Sequence, residues 1–193
     1  MRRLFTAVEL GEEVRAEAAV LLAELRRRAQ RAAPGARLAW VLPERMHLTL
    51  RFIGEVGDAE AERIIGALRA PLPMAPFVVR LEGLGVFPAT GPPRAMWIGV
   101  SEGREAVIEA ESKVSERLLA LGIPREARPY SPHLTFARVR AAAGLRTAAL
   151  FDGLVRRFGE TRVDAITLFQ SQLSPKGPTH VVVEKTRLQP PGS

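Results

Sequence analysis

One feature limits what this chain can fold into more than any other. A short alternating segment occurs twice. Residues 47–50 read His-Leu-Thr-Leu and residues 133–136 read His-Leu-Thr-Phe. On a β-strand, residues i and i+2 face the same side. His47 and Thr49 therefore point together, with Leu48 and Leu50 on the other face. His133 and Thr135 point together, backed by Leu134 and Phe136. Each segment needs a sheet with one apolar and one chemically equipped face.

The surroundings repeat as well. A long amphipathic helix, a His-bearing strand, a shorter helix and a strand pair follow one another from residue 11 to 100, and again from 105 to 188. The first long helix is expected over Gly11–Ala33, with Val14, Ala18, Leu21, Leu22 and Leu25 at helical spacing and Pro34-Gly35 as its stop. The second is expected over Glu105–Leu121, closed by Gly122. Strands are expected at 4–8, 37–41, 46–54, 77–87, 95–100, 133–140, 162–173 and 180–188. A helix opening on Asp58 as N-cap and another over 145–158 complete the set. Turns are read at Gly91-Pro92-Pro93 and at Pro175-Lys176-Gly177-Pro178, and a strand irregularity at Gly83-Leu84-Gly85. The expected fold class is α+β, with two pseudo-symmetric lobes. Each lobe is an antiparallel sheet with helices on its outer face, and a cleft lies between them. Residues 1–193 are read as one bilobal domain, with 189–193 a frayed tail.

Composition removes several function classes. There is no cysteine, which excludes disulfides, thiolate metal sites and cysteine nucleophiles. No apolar run approaches the roughly 20 residues of a membrane span, and no signal peptide is recognised, so a cytoplasmic protein without a membrane partner is expected. The formal charge is +7, and all basic residues but Lys113, Lys176 and Lys185 are arginine. A GC-rich or heat-adapted genome would give that bias. So would a phosphate-rich partner, because arginine presents a planar fork to phosphate oxygens.

Only three histidines exist, His47, His133 and His180. Two imidazoles facing each other across a cleft can act as base and acid near neutral pH. Two threonine hydroxyls beside them can donate to the non-bridging oxygens of a phosphate. No pair of histidines has metal-ligand spacing, so neither metal nor cofactor is expected. By strand parity Arg51 shares the face of His47 and Thr49, whereas Arg138 points away from His133. Phe52 and Tyr130 are candidates to stack a base. His180 is read as a surface strand residue, and Arg26-Arg27-Arg28 as a solvated helix end.

The segments ERMHLTLRFIGE and YSPHLTFARVR, the start RRLFTAVEL and the late LFQSQLSPKGPTHVVVEKTRL resemble the 2H phosphoesterases. Within them, the resemblance is to the bacterial and archaeal RNA 2′,3′-cyclic phosphodiesterases, also called 2′-5′ RNA ligases, over nearly the whole chain. The resemblance implies hydrolysis of RNA or nucleoside 2′,3′-cyclic phosphate ends, tRNA fragments among them, to 2′-phosphates. It also implies ATP-independent joining or cleavage of 2′-5′ linkages. His47, Thr49, His133 and Thr135 become the catalytic four, with His133 the base and His47 the acid in an order that near-symmetry leaves open. Arg138 stands where the family carries an arginine for phosphate or ribose. His180 stands where the family often carries an aromatic residue. A monomer is expected. A non-catalytic RNA-binding module remains an alternative. So does an enzyme for another small cyclic phosphate or 2′-5′ oligonucleotide.

Overall fold

The structure is a computed structural model that describes residues 1–154, 157–172 and 179–191. In chain order the elements are β1 (Arg2–Glu9), α1 (Glu12–Ala32), β2 (Arg37–Trp40), β3 (His47–Val56), α2 (Asp58–Arg69), β4 (Leu72–Pro73), β5 (Phe77–Phe87), β6 (Ala95–Glu102), α3 (Arg104–Leu119), β7 (His133–Ala141), α4 (Thr147–Phe151), β8 (Arg157–Val163), β9 (Ala165–Gln172) and β10 (Thr179–Gln189). A short 3-10 turn, Pro43–Arg45, leads into β3.

The strands form two five-stranded sheets. The first has the order β3-β1-β9-β10-β4 and carries His47; the second has the order β2-β7-β6-β5-β8 and carries His133. All pairings are antiparallel except the short contact of β4 with β10. The expected two-lobed α+β architecture is present.

The lobes are not the two halves of the chain, however. The strand pair β5–β6, which follows His47 in sequence, lies in the sheet of His133. The strands β9 and β10, which follow His133, lie in the sheet of His47. Each half thus donates its last strands to the other lobe, and neither sheet is complete without both. The segment 162–173, expected as one strand, shows this crossing. It breaks at Asp164: Arg162 pairs with Val78 in the second sheet, and Ala165 pairs with Arg187 in the first. The helix expected over 145–158 is only α4, because the chain leaves the helix at Asp152-Gly153, with Gly153 at φ 67°, and Phe158 belongs to β8. The turn at 175–178 lies outside the described residues.

Helix faces follow the apolar spacing. Val14, Ala18, Leu21, Leu22, Leu25 and Ala29 of α1 are buried, and the helix lies against β8. Ala61, Ile64, Ile65 and Leu68 of α2 are buried toward β10 and β1. The N-cap of α2 is Gly57; Asp58 is its first residue and pairs with Arg2 of β1 at 3.1 Å. Val107, Ala110, Val114 and Leu118 of α3 face β3, β4 and β5, so this helix touches both sheets. Its Arg117 donates to the carbonyls of Ala67, Ala70 and Pro71, satisfying the end of α2. Arg28 likewise donates to the carbonyls of Leu150 and Asp152, so the arginine run closing α1 is partly structural. One contiguous buried cluster includes Leu48 and Leu50 of the first sheet and Leu134 and Phe136 of the second. The greasy backs of both histidine strands share it.

The entry to α3 tests how tightly this frame is built. Gly103 has φ 76°, and a Cβ there would lie 2.1 Å from the carbonyl oxygen of Val78. Gly144 has φ 71° but open space around it. Gly144→Ala should cost only the left-handed backbone, roughly 1–2 kcal/mol. Gly103→Ala should cost that plus an overpacking penalty of about 1–3 kcal/mol. Urea unfolding of both variants checks this; equal losses would show that β5 yields freely at Val78.

Candidate active site between the two sheets

The two histidine strands meet where the sheets face each other. Both follow the expected alternation through the threonine and then break it in the same way. In β3, Thr49 pairs with Ala7 and Arg51 with Thr6, so Leu50 is an extra residue. In β7, Thr135 pairs with Trp97 and Ala137 with Met96, so Phe136 is extra. Leu50 and Phe136 are each the third residue after their histidine. A one-residue bulge inverts the facing of the residues that follow, up to the next irregularity, which comes at Ile53 in β3 and at Arg140 in β7.

The bulge corrects the parity reading on two counts. Arg51 turns inward: it is 4% exposed, donates to the carbonyl of Pro124 and pairs with Glu126 at 3.5 Å. It is not a cleft arginine. Arg138 turns to the face of His133 and Thr135, is exposed, and its charge acts on both His47 and His133. Phe52 occupies the corresponding place on β3. It is 52% exposed and its ring centroid lies 6.0 Å from Phe5, which in turn touches His47 at 4.8 Å.

The imidazoles are anchored alike. Nδ1 of His47 donates to the carbonyl of Arg45 at 2.9 Å, and Nδ1 of His133 to the carbonyl of Ser131 at 2.7 Å. A carbonyl can only accept, so Nδ1 carries the hydrogen and Nε2 of each ring keeps a free lone pair. Each ring also leans on aromatic neighbours. His133 meets Phe87 edge-on at 4.9 Å, with Trp97 at 6.3 Å. Thr49 and Thr135 are half-buried, and neither hydroxyl is hydrogen-bonded among the described residues. Tyr130 is not a stacking surface. Its ring packs on the core and its hydroxyl donates to the carbonyl of Thr49 at 2.8 Å, so it fixes β3. Burial, with Glu111 nearby, pushes that phenol up.

His180 departs most from its sequence reading. It is half-buried, not a surface residue. It lies edge-to-face on His47 at 5.1 Å and also touches Phe5 and Phe169. Residues from β3, β1, β9 and β10 thus form one aromatic cluster around His47. No local pattern announces this contact, because β10 enters the sheet through the exchange of strands between halves.

Burial holds all three imidazoles below their ordinary pKa. His47 falls furthest, to about 4, through burial and then the neighbouring His180; the Arg45 carbonyl opposes this and Arg138 adds to it. His133 is lowered by burial, raised in part by the Ser131 carbonyl, and lowered by Arg138. His180 is lowered by burial and by Arg45. In the free protein the rings are therefore neutral at pH 7. Among the described residues, no group of three or more His, Cys, Asp or Glu side chains could hold a metal ion.

These depressed values have a sign. Above pH 6.5, His47 is neutral folded and unfolded, and contributes nothing. As pH falls from 6.5 toward 4, the unfolded chain takes the proton first, so stability is lost. His47→Gln removes that loss. Between pH 7 and 4, wild type should lose up to about 3 kcal/mol more than this variant in urea unfolding. Parallel losses would show that His47 titrates normally. In imidazole NMR, His180→Gln should move the His47 midpoint upward, since it deletes a neighbouring charge.

Comparison with known proteins agrees with the duplicated geometry. A family model described as LigT-like phosphoesterase matches the chain twice, at residues 13–97 and 98–180, once around each histidine strand. The RNA 2′,3′-cyclic phosphodiesterase of Archaeoglobus fulgidus is 37% identical over 183 residues, 92% of this chain and 96% of that protein. A crystal structure from Thermus thermophilus superposes with a TM-score of 0.74 at 33% identity, over 98% of this chain and 99% of the other. Escherichia coli LigT, solved with 3′-AMP, shares the fold at a TM-score of 0.72 and 21% identity, over 97% and 98%. With its two motif copies, its exchanged strands and these relatives, the chain belongs to the LigT-like phosphoesterase family.

Proposed function

We propose that the protein hydrolyses 2′,3′-cyclic phosphate ends of RNA to 2′-phosphates. The observation that carries this reading is the matched pair of imidazoles, each with Nδ1 tied to a carbonyl two residues back and Nε2 free. That is what an acid and a base on opposite sides of one phosphorus require. The name of the Archaeoglobus relative supports the choice of substrate.

In the proposed reaction a water oxygen attacks phosphorus and the P–O3′ bond breaks. One imidazole takes a proton from the water, and the other gives one to O3′. Thr49 and Thr135 donate to the non-bridging oxygens, and Arg138 balances their charge. Phe52 offers an exposed ring to the base. In the order the resemblance suggests, His133 accepts and His47 donates. His47 is the more depressed of the two, so this order needs the bound anion to lift it, and the reverse order needs less. The free-enzyme acid limb distinguishes them. A His47 base places the acid limb of kcat/KM near 4, and a His133 base places it higher.

The test is hydrolysis of 2′,3′-cyclic AMP in excess EDTA with the product position resolved. Wild type should form the 2′-phosphate, and His47→Ala and His133→Ala should each lose about 100- to 10,000-fold in kcat. Intact turnover in either variant, or a strict need for added divalent metal, would refute the paired-histidine mechanism. Both rings are depressed when the site is empty, and a bound phosphate anion raises the donor. The alkaline limb should therefore lie at lower pH in kcat/KM than in kcat. Coincident limbs would mean that the anion does not sit between the rings.

A further inference from the structure

A groove of about 440 Å³ opens beside the proposed site, lined by Pro92, Pro93, Arg94, Arg138, Val139 and Arg140 among others. Its floor is the outgoing half of β7. Its wall is the turn between β5 and β6, tied down at both ends of Arg94. The Arg94 N–H donates to the Phe87 carbonyl at 2.7 Å, and its carbonyl accepts from Val139 N–H at 2.9 Å. Ala95 then pairs with Arg138 in the ladder.

The bulge at Phe136 gives this groove its charge. Beyond it, Arg138 and Arg140 share the site face, two residues apart, hence roughly 6.6 Å along the strand. Both are exposed, as is Arg94. Among the described residues no carboxylate pairs with any of the three. Arg80, by contrast, is bound to Glu102 at 2.7 Å and Glu160 at 3.0 Å. Three unneutralised guanidinium groups thus line one groove, and the charge of Arg138, at its near end, acts on both imidazoles.

We infer that this groove binds the phosphodiester next to the reacting one in a single-stranded RNA, so that the protein selects a polynucleotide end over a free nucleoside cyclic phosphate. The inference rests on the phosphodiesterase reading above. Arg138 serves the reacting phosphate, and Arg94 and Arg140 hold the one beyond it. A mononucleotide reaches only the first.

The experiment compares kcat/KM for 2′,3′-cyclic AMP with that for a hexanucleotide ending in the same cyclic phosphate, in wild type and in Arg94→Gln/Arg140→Gln, at several salt concentrations. Wild type should favour the RNA by about tenfold or more, with a preference that shrinks as salt rises. The double variant should keep mononucleotide turnover within about twofold and lose most of the RNA preference and its salt slope. Retained mononucleotide turnover also shows that the variant folds. An unchanged RNA-to-mononucleotide ratio in the variant overturns the inference, and so does an equal fall on both substrates. Wild type that treats the substrates alike sinks the groove and leaves the phosphodiesterase reading standing. Wild type that turns over neither sinks both.

Discussion

The structure turns on a one-residue slip placed three positions after each histidine. A β-strand distributes its side chains with period two, so a single extra residue exchanges the two faces for the residues just downstream. In β3 the slip buries Arg51 and exposes Phe52; in β7 it buries Ala137 and presents Arg138. Without it, the face bearing His133 and Thr135 would continue with Ala137 and lack its guanidinium. The histidine and the threonine precede the slip, so the catalytic candidates are indifferent to it. What it determines is the residue offered beside them: a ring from one lobe and a cation from the other. Two lobes with the same imidazole geometry thus acquire different partners for whatever lies between.

That slip also marks where the sequence stops being readable. Parity correctly paired His47 with Thr49 and His133 with Thr135, because those pairs lie within an unbroken stretch of ladder. It misplaced Arg51 and Arg138 because Leu50 and Phe136 look like ordinary apolar strand residues. The resemblance singles out Arg138 without reference to parity, since a family pattern records a residue's place whether or not a bulge precedes it. The main helices and most strands were legible from apolar spacing and turn residues. The exchange of strands between lobes was not. Nothing at Asp164 distinguishes a strand that continues from one that crosses to another sheet. His180 was unreadable for the same reason, because its neighbours Phe5, His47 and Phe169 come from three other strands.

The exchange of strands makes the site and the fold interdependent. A lobe built from one half of the chain would lack the strands that flank its histidine's sheet. Here β1 sits between β3 of its own half and β9 of the other, so Phe5 stacks on Phe169 at 5.3 Å while touching His47. The second sheet repeats the device, with Trp97 and Phe87 from β6 and β5 against His133 of β7. Each imidazole therefore has aromatic rings on its sides and one carbonyl at Nδ1. Its only free atom with chemistry is Nε2.

The electrostatics follow from the same packing. Rings held among aromatic side chains lose water, and losing water disfavours the charged form. A further positive charge at Arg138 pushes in the same direction. The site is thus a basic surface whose histidines are kept neutral, which disfavours a cation and favours an anion. In the proposed reaction a phosphate beside Arg138 would reverse the balance, its negative charge offsetting the guanidinium and favouring an imidazolium. In the proposed reaction, substrate binding and proton uptake are then one linked event, and the proton needed by the leaving O3′ is acquired only when there is a phosphate to use it. His180 adds to the lowering of His47, whereas Arg138 acts on both rings, so the two imidazoles are not electrostatically equivalent.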